Sequence, residues 1–481
     1  MSVRPELTSR IESDDSSAGP VLLFFSTAVV WLFIGSVFGL VVAFKFSFPD
    51  WLGDAPALTF GRLRPAHLNT VIYGWASLAL GGVYIWLVAR LCRTTIRWKN
   101  LLYISAVIWN AAVLWGTIQL LRGNSAGQEW LEFPRATSLM ITVAAVLFSL
   151  SIIKTFRRRN VDHIYISLWY LLASVIWFPL LYVLGHLPIY SGVTQAAANW
   201  WYAHNVLTVW FTPAGLAAAY YFIPKVIGRP IHSYYLSLIG FWTFALFYNW
   251  NGIHHLVGGP LPTWLISVSI VASMLMFIPV IAVAINHHMT MVGHFNKLKS
   301  SPTLRFVVFG AVRYTAVSFQ GSLEALRSQS EITHFTHYTI GHAHLGLYAF
   351  VTMIMFGSIY YIMPRIVKWE WPYPGLIKVH FWLVASGVIL YFAAMTVGGV
   401  FQGLYMNDAA RPFMDSVEVT KPYLMARSIG GSMMLLGQIV FIYLFSLMLF
   451  RKGAYRVLPP WGNRIAEASA TDASGAEVAP R

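Results

Sequence analysis

The chain holds 15 histidines against only 18 acids, and six of them fall in a suggestive pattern. These are His67, His204, the adjacent pair His254 and His255, and His342 and His344, two residues apart. Neutral imidazole is the commonest metal-ligating side chain, and it suits copper and iron. On a helix, residues two apart point roughly 200° from one another. His342 and His344 therefore cannot grip one ion from one face, but they can hold two metals on opposite faces. His254 and His255 can converge on one ion where a helix frays, and Gly252 permits that. His204 would complete a three-histidine site, leaving His67 to pair with one of the two helix histidines. The count gives a metal held by two histidines, a metal held by one with an open face, and a metal held by three. Haem is the natural holder of the first two. An open haem iron beside a three-histidine copper or iron is a site for reducing a small diatomic molecule.

Such a layer of ligands needs elements that carry it. Of the 481 residues, 57% are hydrophobic and 11% charged, and mean hydropathy is +0.61. Soluble domains carry about 25% charged residues. This composition excludes a soluble enzyme, a disordered chain and a nucleic-acid module, and points to a membrane protein. Cys92 is the only cysteine, which leaves no internal disulfide and no cysteine-rich metal site. Residues 1–20 are polar and are expected to be a cytoplasmic tail. The apolar run 21–44 is long enough to cross a bilayer, which takes about 20 residues. Eleven more runs follow, at 67–91, 101–121, 136–155, 161–185, 199–224, 232–252, 263–285, 303–322, 337–363, 375–400 and 428–450. Continuously apolar runs of this length are helices in lipid. The expected fold is all-α and polytopic: twelve transmembrane helices forming one domain over 21–455, then a disordered cytoplasmic tail at 456–481.

The loops orient it. Cytoplasmic loops carry excess Lys and Arg. Every even-numbered loop is basic, for example Arg90, Arg93, Arg97 and Lys99 after the second helix and Lys154, Arg157, Arg158 and Arg159 after the fourth. The loops after the fifth and seventh helices have neither residue type. Both termini are thus expected in the cytoplasm, and the charge of +15 reports orientation rather than a nucleic-acid partner. This topology puts all six histidines at one depth, in the outer half of the membrane, where ionisable residues are costly and usually functional. His163, His186, His232, His287, His288, His294 and His380 are expected to be ordinary interfacial residues.

At this point the chain resembles the catalytic subunit I of haem–copper oxidases, in particular the C family of cbb(3)-type cytochrome c oxidases. The resemblance covers about residues 20–455. It rests on GRLRPAH at 61–67, WWYAH at 200–204, YNWNGIHH at 248–255 and YTIGHAH at 338–344. It implies two b-type haems and one copper ion, CuB. His67 and His344 would be the axial ligands of a low-spin haem, and His342 the proximal ligand of a high-spin haem. His204, His254 and His255 would bind CuB. Tyr248 matches the tyrosine that the family joins covalently to a CuB histidine, here His204; its place six residues before the histidine pair is that of the C family. Arg64 matches an arginine that pairs with haem propionates. Glu129 and Glu132 match an acidic pair associated with bound Ca²⁺. Tyr234, Ser237 and Tyr314 match the family's proton-uptake channel, and Tyr234 and Ser237 share a helix face.

The resemblance further implies a bacterial inner-membrane enzyme that reduces O₂ to water with electrons from cytochrome c, coupled to proton uptake and pumping. The chain has no Cys-x-x-Cys-His motif, so membrane-anchored c-type cytochrome subunits would deliver the electrons. Gln320 departs from the pattern, standing where typical C-family members carry a glutamate. Arg313 in the ninth run and the additional His337 depart as well. The alternative is a nitric oxide reductase-type member of the same superfamily, which carries a glutamate where this chain has Thr208 and lacks the tyrosine. A carrier without a catalytic metal would not need the three extra histidines.

Overall fold

The computed structural model describes residues 3–453. The expected C-terminal tail, 456–481, lies outside the described residues. Among those described there is no strand. The principal helices are α1 (Val3–Lys45), α2 (Phe60–Cys92), α3 (Lys99–Leu121), α4 (Arg135–Arg157), α5 (Ile166–Gly185) and α6 (Gly192–Ile227). They continue with α7 (Tyr234–Tyr248), α8 (Thr263–Met291), α9 (Pro302–Glu324), α10 (His337–Val367), α11 (Pro374–Met406) and α12 (Phe413–Leu449). Ten of these are long and apolar enough to cross a membrane. The other two are α7, with 15 residues, and α9, whose apolar character is diluted by Arg305, Arg313 and Gln320.

Two boundaries differ most from the expectation. Helix α1 runs back through the polar lead-in, because Asp14 is anchored to α2. Its carboxylate accepts from Arg90 at 3.1 Å and from the Trp86 indole N–H at 2.8 Å. Helix α12 begins 15 residues before the expected position 428. Its first turns are charged, with a Lys421–Glu418 pair one turn apart, so hydropathy alone reads them as loop.

The helices divide into a sheath and a centre. In α2 and α6 the most apolar stretch is 94% buried, and in α10 it is 83%; in α12 it is 39%. Sheath helices turn large apolar side chains such as Val107, Leu139, Trp242 and Trp382 outward, as a lipid-facing surface requires. The three central helices carry His67, His204, His342 and His344. Each is interrupted by a wider π-helical segment: Thr70–Ala76, Leu207–Phe211 and Leu345–Thr352. Each segment begins within three residues after a ligand candidate. Such segments recur at functional sites.

Candidate haem and metal centre

One cavity of about 490 Å³ touches all six histidines, Tyr248, Arg64 and Glu324. On one side of it the His67 and His344 rings lie parallel, 13° apart, with centroids separated by 6.4 Å. A metal–nitrogen bond of about 2 Å on each side, with roughly 1 Å from nitrogen to ring centre, spans about 6 Å. The gap therefore fits one metal held from both faces. The outward nitrogens are already engaged. His67 Nδ1 donates to the Gly35 carbonyl at 2.7 Å, and His344 Nδ1 to the Ile340 carbonyl at 2.9 Å. That fixes the tautomer and leaves Nε2 of each as the ligand atom. Gly39 is required here, since a Cβ would stand 2.5 Å from the His67 ring.

His342 faces away from this pair, as its spacing from His344 predicts. It lies against α9, with Nδ1 3.2 Å from Gln320 Oε1 and 3.6 Å from Glu324 Oε2. A Cβ on Gly321 would meet its Cε1 at 2.9 Å, so glycine lets the helix approach. Nε2 is again the free nitrogen.

The structure brings His204, His254 and His255 together, with one ligand atom from each lying within 4.8 Å of the others. His254 and His255 sit on a 3₁₀ turn, Ile253–Leu256, not on a helix. Gly252 starts the turn at φ +112°, and a Cβ there would be 2.7 Å from the Trp200 carbonyl oxygen. His254 Nδ1 contacts the Ser269 and Ser273 hydroxyls, both at 3.1 Å. His255 stacks on Trp200 at 4.8 Å. The buried His204 Nδ1 has no hydrogen-bond partner, which leaves it available as a ligand atom. The Tyr248 ring lies 5.4 Å from that of His204. Thr208 donates to the His204 carbonyl at 2.9 Å and is within hydrogen-bonding reach of Tyr248.

Arg64 clamps the acidic pair. Its guanidinium contacts Glu129 and, at 3.3 Å, Glu132, which also accepts from Asn69 at 2.9 Å. Burial in this loop pushes the Glu132 carboxyl up to about 7, against the opposing pull of Asn69 and Arg64. The expected channel residues behave unequally. Tyr234 donates to the Ile164 carbonyl at 2.6 Å and Ser237 to the Tyr234 carbonyl at 2.6 Å, so both hydroxyls are spent on backbone. The buried Tyr314 hydroxyl is tied to no backbone carbonyl and lies within reach only of the Ser318 side chain. Arg313 lies over the Phe309 ring at 4.9 Å.

Four groups escaped the sequence reading, Glu324 beside His342 among them. Ser269 and Ser273 support His254 from α8, and nothing in their local sequence marks them. Arg427 is buried, lies 4.8 Å from the centre of the Phe46 ring and lines the cavity. Its Nε and Nη1 have no partner. A charge inside an apolar helix is a usable signal, but the expected helix began one residue after it.

The profile of the "Cytochrome C and Quinol oxidase polypeptide I" family matches residues 19–433. The chain belongs to the haem–copper oxidase subunit I family. Among curated relatives, the "Cbb3-type cytochrome c oxidase subunit CcoN1" of Stutzerimonas stutzeri is 34% identical over 87% of this chain and 92% of its own length. A nitric oxide reductase chain of the same organism is 24% identical over 89% of this chain and 96% of its own. A cryo-EM structure of a heme-copper terminal oxidase dimer superposes with a TM-score of 0.67 at 15% identity, covering 95% of this chain and 89% of that one. The protein is an integral membrane protein of the haem–copper oxidase class.

Proposed function

We propose that this subunit reduces O₂ to water, taking electrons that originate in cytochrome c and protons from the cytoplasmic side, and that it pumps protons. The carrying observation is the convergence of His204, His254 and His255 beside Tyr248, opposite the single histidine His342. His67 and His344 would hold a low-spin b haem, His342 a high-spin b haem, and the three-histidine cluster CuB. The residues fit these groups: paired rings at metal-bridging separation, Nε2 atoms left free, and an orphaned Nδ1 on His204. When bound, the two haems and the copper would supply electron-transfer chemistry and the place where O₂ is reduced.

The chain's own groups do the rest. Tyr248 holds a phenolic proton at the cluster, and its ring neighbours the His204 ring to which the family's tyrosine is joined. The Tyr314 hydroxyl is the step below it in proton delivery; Tyr234 and Ser237 would join only by releasing their backbone carbonyls. Arg427 and Arg64 present guanidiniums for haem propionates. With Arg64 on a propionate, Glu129 and Glu132 would be free to serve as oxygen donors for Ca²⁺. The alternating basic loops support twelve spans with both termini in the cytoplasm, in a bacterial inner membrane. Membrane-anchored c-type cytochromes would be the partner subunits.

Metal analysis combined with turnover on O₂ and on NO tests the reading. Two haems and one copper are expected, with O₂ uptake lost in Tyr248→Phe. Non-haem iron in place of copper, with NO turnover dominant, would establish the nitric oxide reductase alternative instead. Thr208 at that enzyme's glutamate position speaks against it.

A further inference from the structure

His342 offers one N–H to two acceptors. Gln320 and Glu324 are four residues apart on α9, hence one above the other on a single face, and the imidazole lies against that face. Gln320 Oε1 is nearer at 3.2 Å and Glu324 Oε2 farther at 3.6 Å. The two differ in chemistry. A carboxylate is an anionic acceptor, and hydrogen bonds to ionised groups are roughly twice as strong as neutral ones. A glutamine amide also donates, so it is not committed to an imidazole. Gln320 has another partner in reach, the hydroxyl of the buried Tyr338. Glu324 is a poor candidate for a solvated surface acid: its side chain is only 12% exposed, and it lines the same cavity. A metal-bound histidine typically donates its second N–H to a carboxylate, carbonyl or water, which sets ring orientation and ligand basicity.

We propose that Glu324 is the positioning residue of His342: its carboxylate accepts the Nδ1 proton when the high-spin haem is bound, while the Gln320 amide turns to Tyr338. The glutamine at 320 therefore does not leave the proximal histidine without an anionic partner; that partner stands one helical turn further along. The ring need close less than about 1 Å on the carboxylate to reach the usual 2.7–2.9 Å of a charge-assisted bond, and apart from the Gln320 amide no other group is asked to move. Anionic support makes the imidazole a stronger donor to iron. That strengthens the iron–histidine bond and favours the ferric state of this one haem.

This inference rests on His342 being the haem ligand, and the experiment separates the two. In the purified, fully assembled oxidase, resonance Raman of the reduced enzyme reads the iron–histidine stretch, and redox titration reads the high-spin haem potential. Absence of any such band in the wild type overturns the ligand assignment itself. With the band present, Glu324→Gln is expected to lower its frequency and raise the potential, with low-spin haem spectra unchanged. Gln320→Leu is expected to leave the frequency where it was or raise it, because the carboxylate then has no competitor. The exchange variant Gln320→Glu with Glu324→Gln should restore the wild-type band. An unmoved band in Glu324→Gln, or a lowered one in Gln320→Leu, overturns the proposal. The Gln320→Leu arm decides alone should Glu324→Gln fail to assemble.

Discussion

The two sides of the cavity hold their histidines by different means. On one side, His67, His342 and His344 ride on the central helices. Two of these have Nδ1 tied to a carbonyl one turn back or across a helix interface. On the other, only His204 rides on a helix, while His254 and His255 sit on a four-residue turn launched by a glycine at positive φ and steadied by two serine hydroxyls. A helix gives each residue its own direction and separates neighbours by about 100°. It is a good mount for ligands of different metals and a poor one for two adjacent ligands of the same metal. The turn does what the helix cannot, at the cost of depending on a few local contacts.

Four experiments can break or sharpen that contrast. The largest effect is expected from His254→Ala or His255→Ala: O₂ uptake abolished and copper absent by metal analysis, with the low-spin haem spectrum retained. Loss of that spectrum too would show that the two sides are not independent. Next are the reciprocal glycines. Gly252→Ala strains the turn and drives a Cβ into the Trp200 carbonyl, so copper should fall well below one per chain while low-spin haem stays. Gly39→Ala should do the opposite. If both variants lose both groups, the division fails. Smaller still are Ser269→Ala and Ser273→Ala, each expected to weaken copper retention by about 10-fold under chelator challenge, the lower end for lost supporting partners. The smallest is a pH effect away from the haem and copper ligands, read with Ca²⁺ removed by chelator. Burial holds the Glu132 carboxyl up at about 7 in the fold, against roughly 4.3 in an open chain. The folded state then holds a proton that the unfolded chain has lost between these values. Its contribution therefore favours folding at the acid end and is lost as pH rises through 7. Thermal melts of the solubilised protein from pH 5 to 7.5 should show this slope, flattened in Glu132→Gln.

Much of the site was legible because metal ligation demands rare residues in rare arrangements. Six histidines brought to one depth by loop charge could be grouped before any coordinates, and the structure places His204 with His254 and His255, and His67 opposite His344. What stayed hidden has common causes. Ser269, Ser273 and Tyr314 matter through which hydroxyls find backbone partners, and sequence does not record that; Tyr234 and Ser237 looked equivalent to Tyr314 for the same reason. Arg427 was lost to a boundary, since a charged helix start resembles a loop when only hydropathy is read. The π-helical segments leave no compositional trace at all.

Those three segments give each central helix a phase slip. A π turn holds more residues than an α turn, so the ligand-bearing part and the far part of the same helix are set to independent angles. Removing one residue within Leu345–Thr352 would let the helix relax to regular winding while rotating one part against the other by about 100°. The angular setting of the histidines relative to the other half of the molecule is thus an adjustable quantity, written in chain length rather than in side-chain identity.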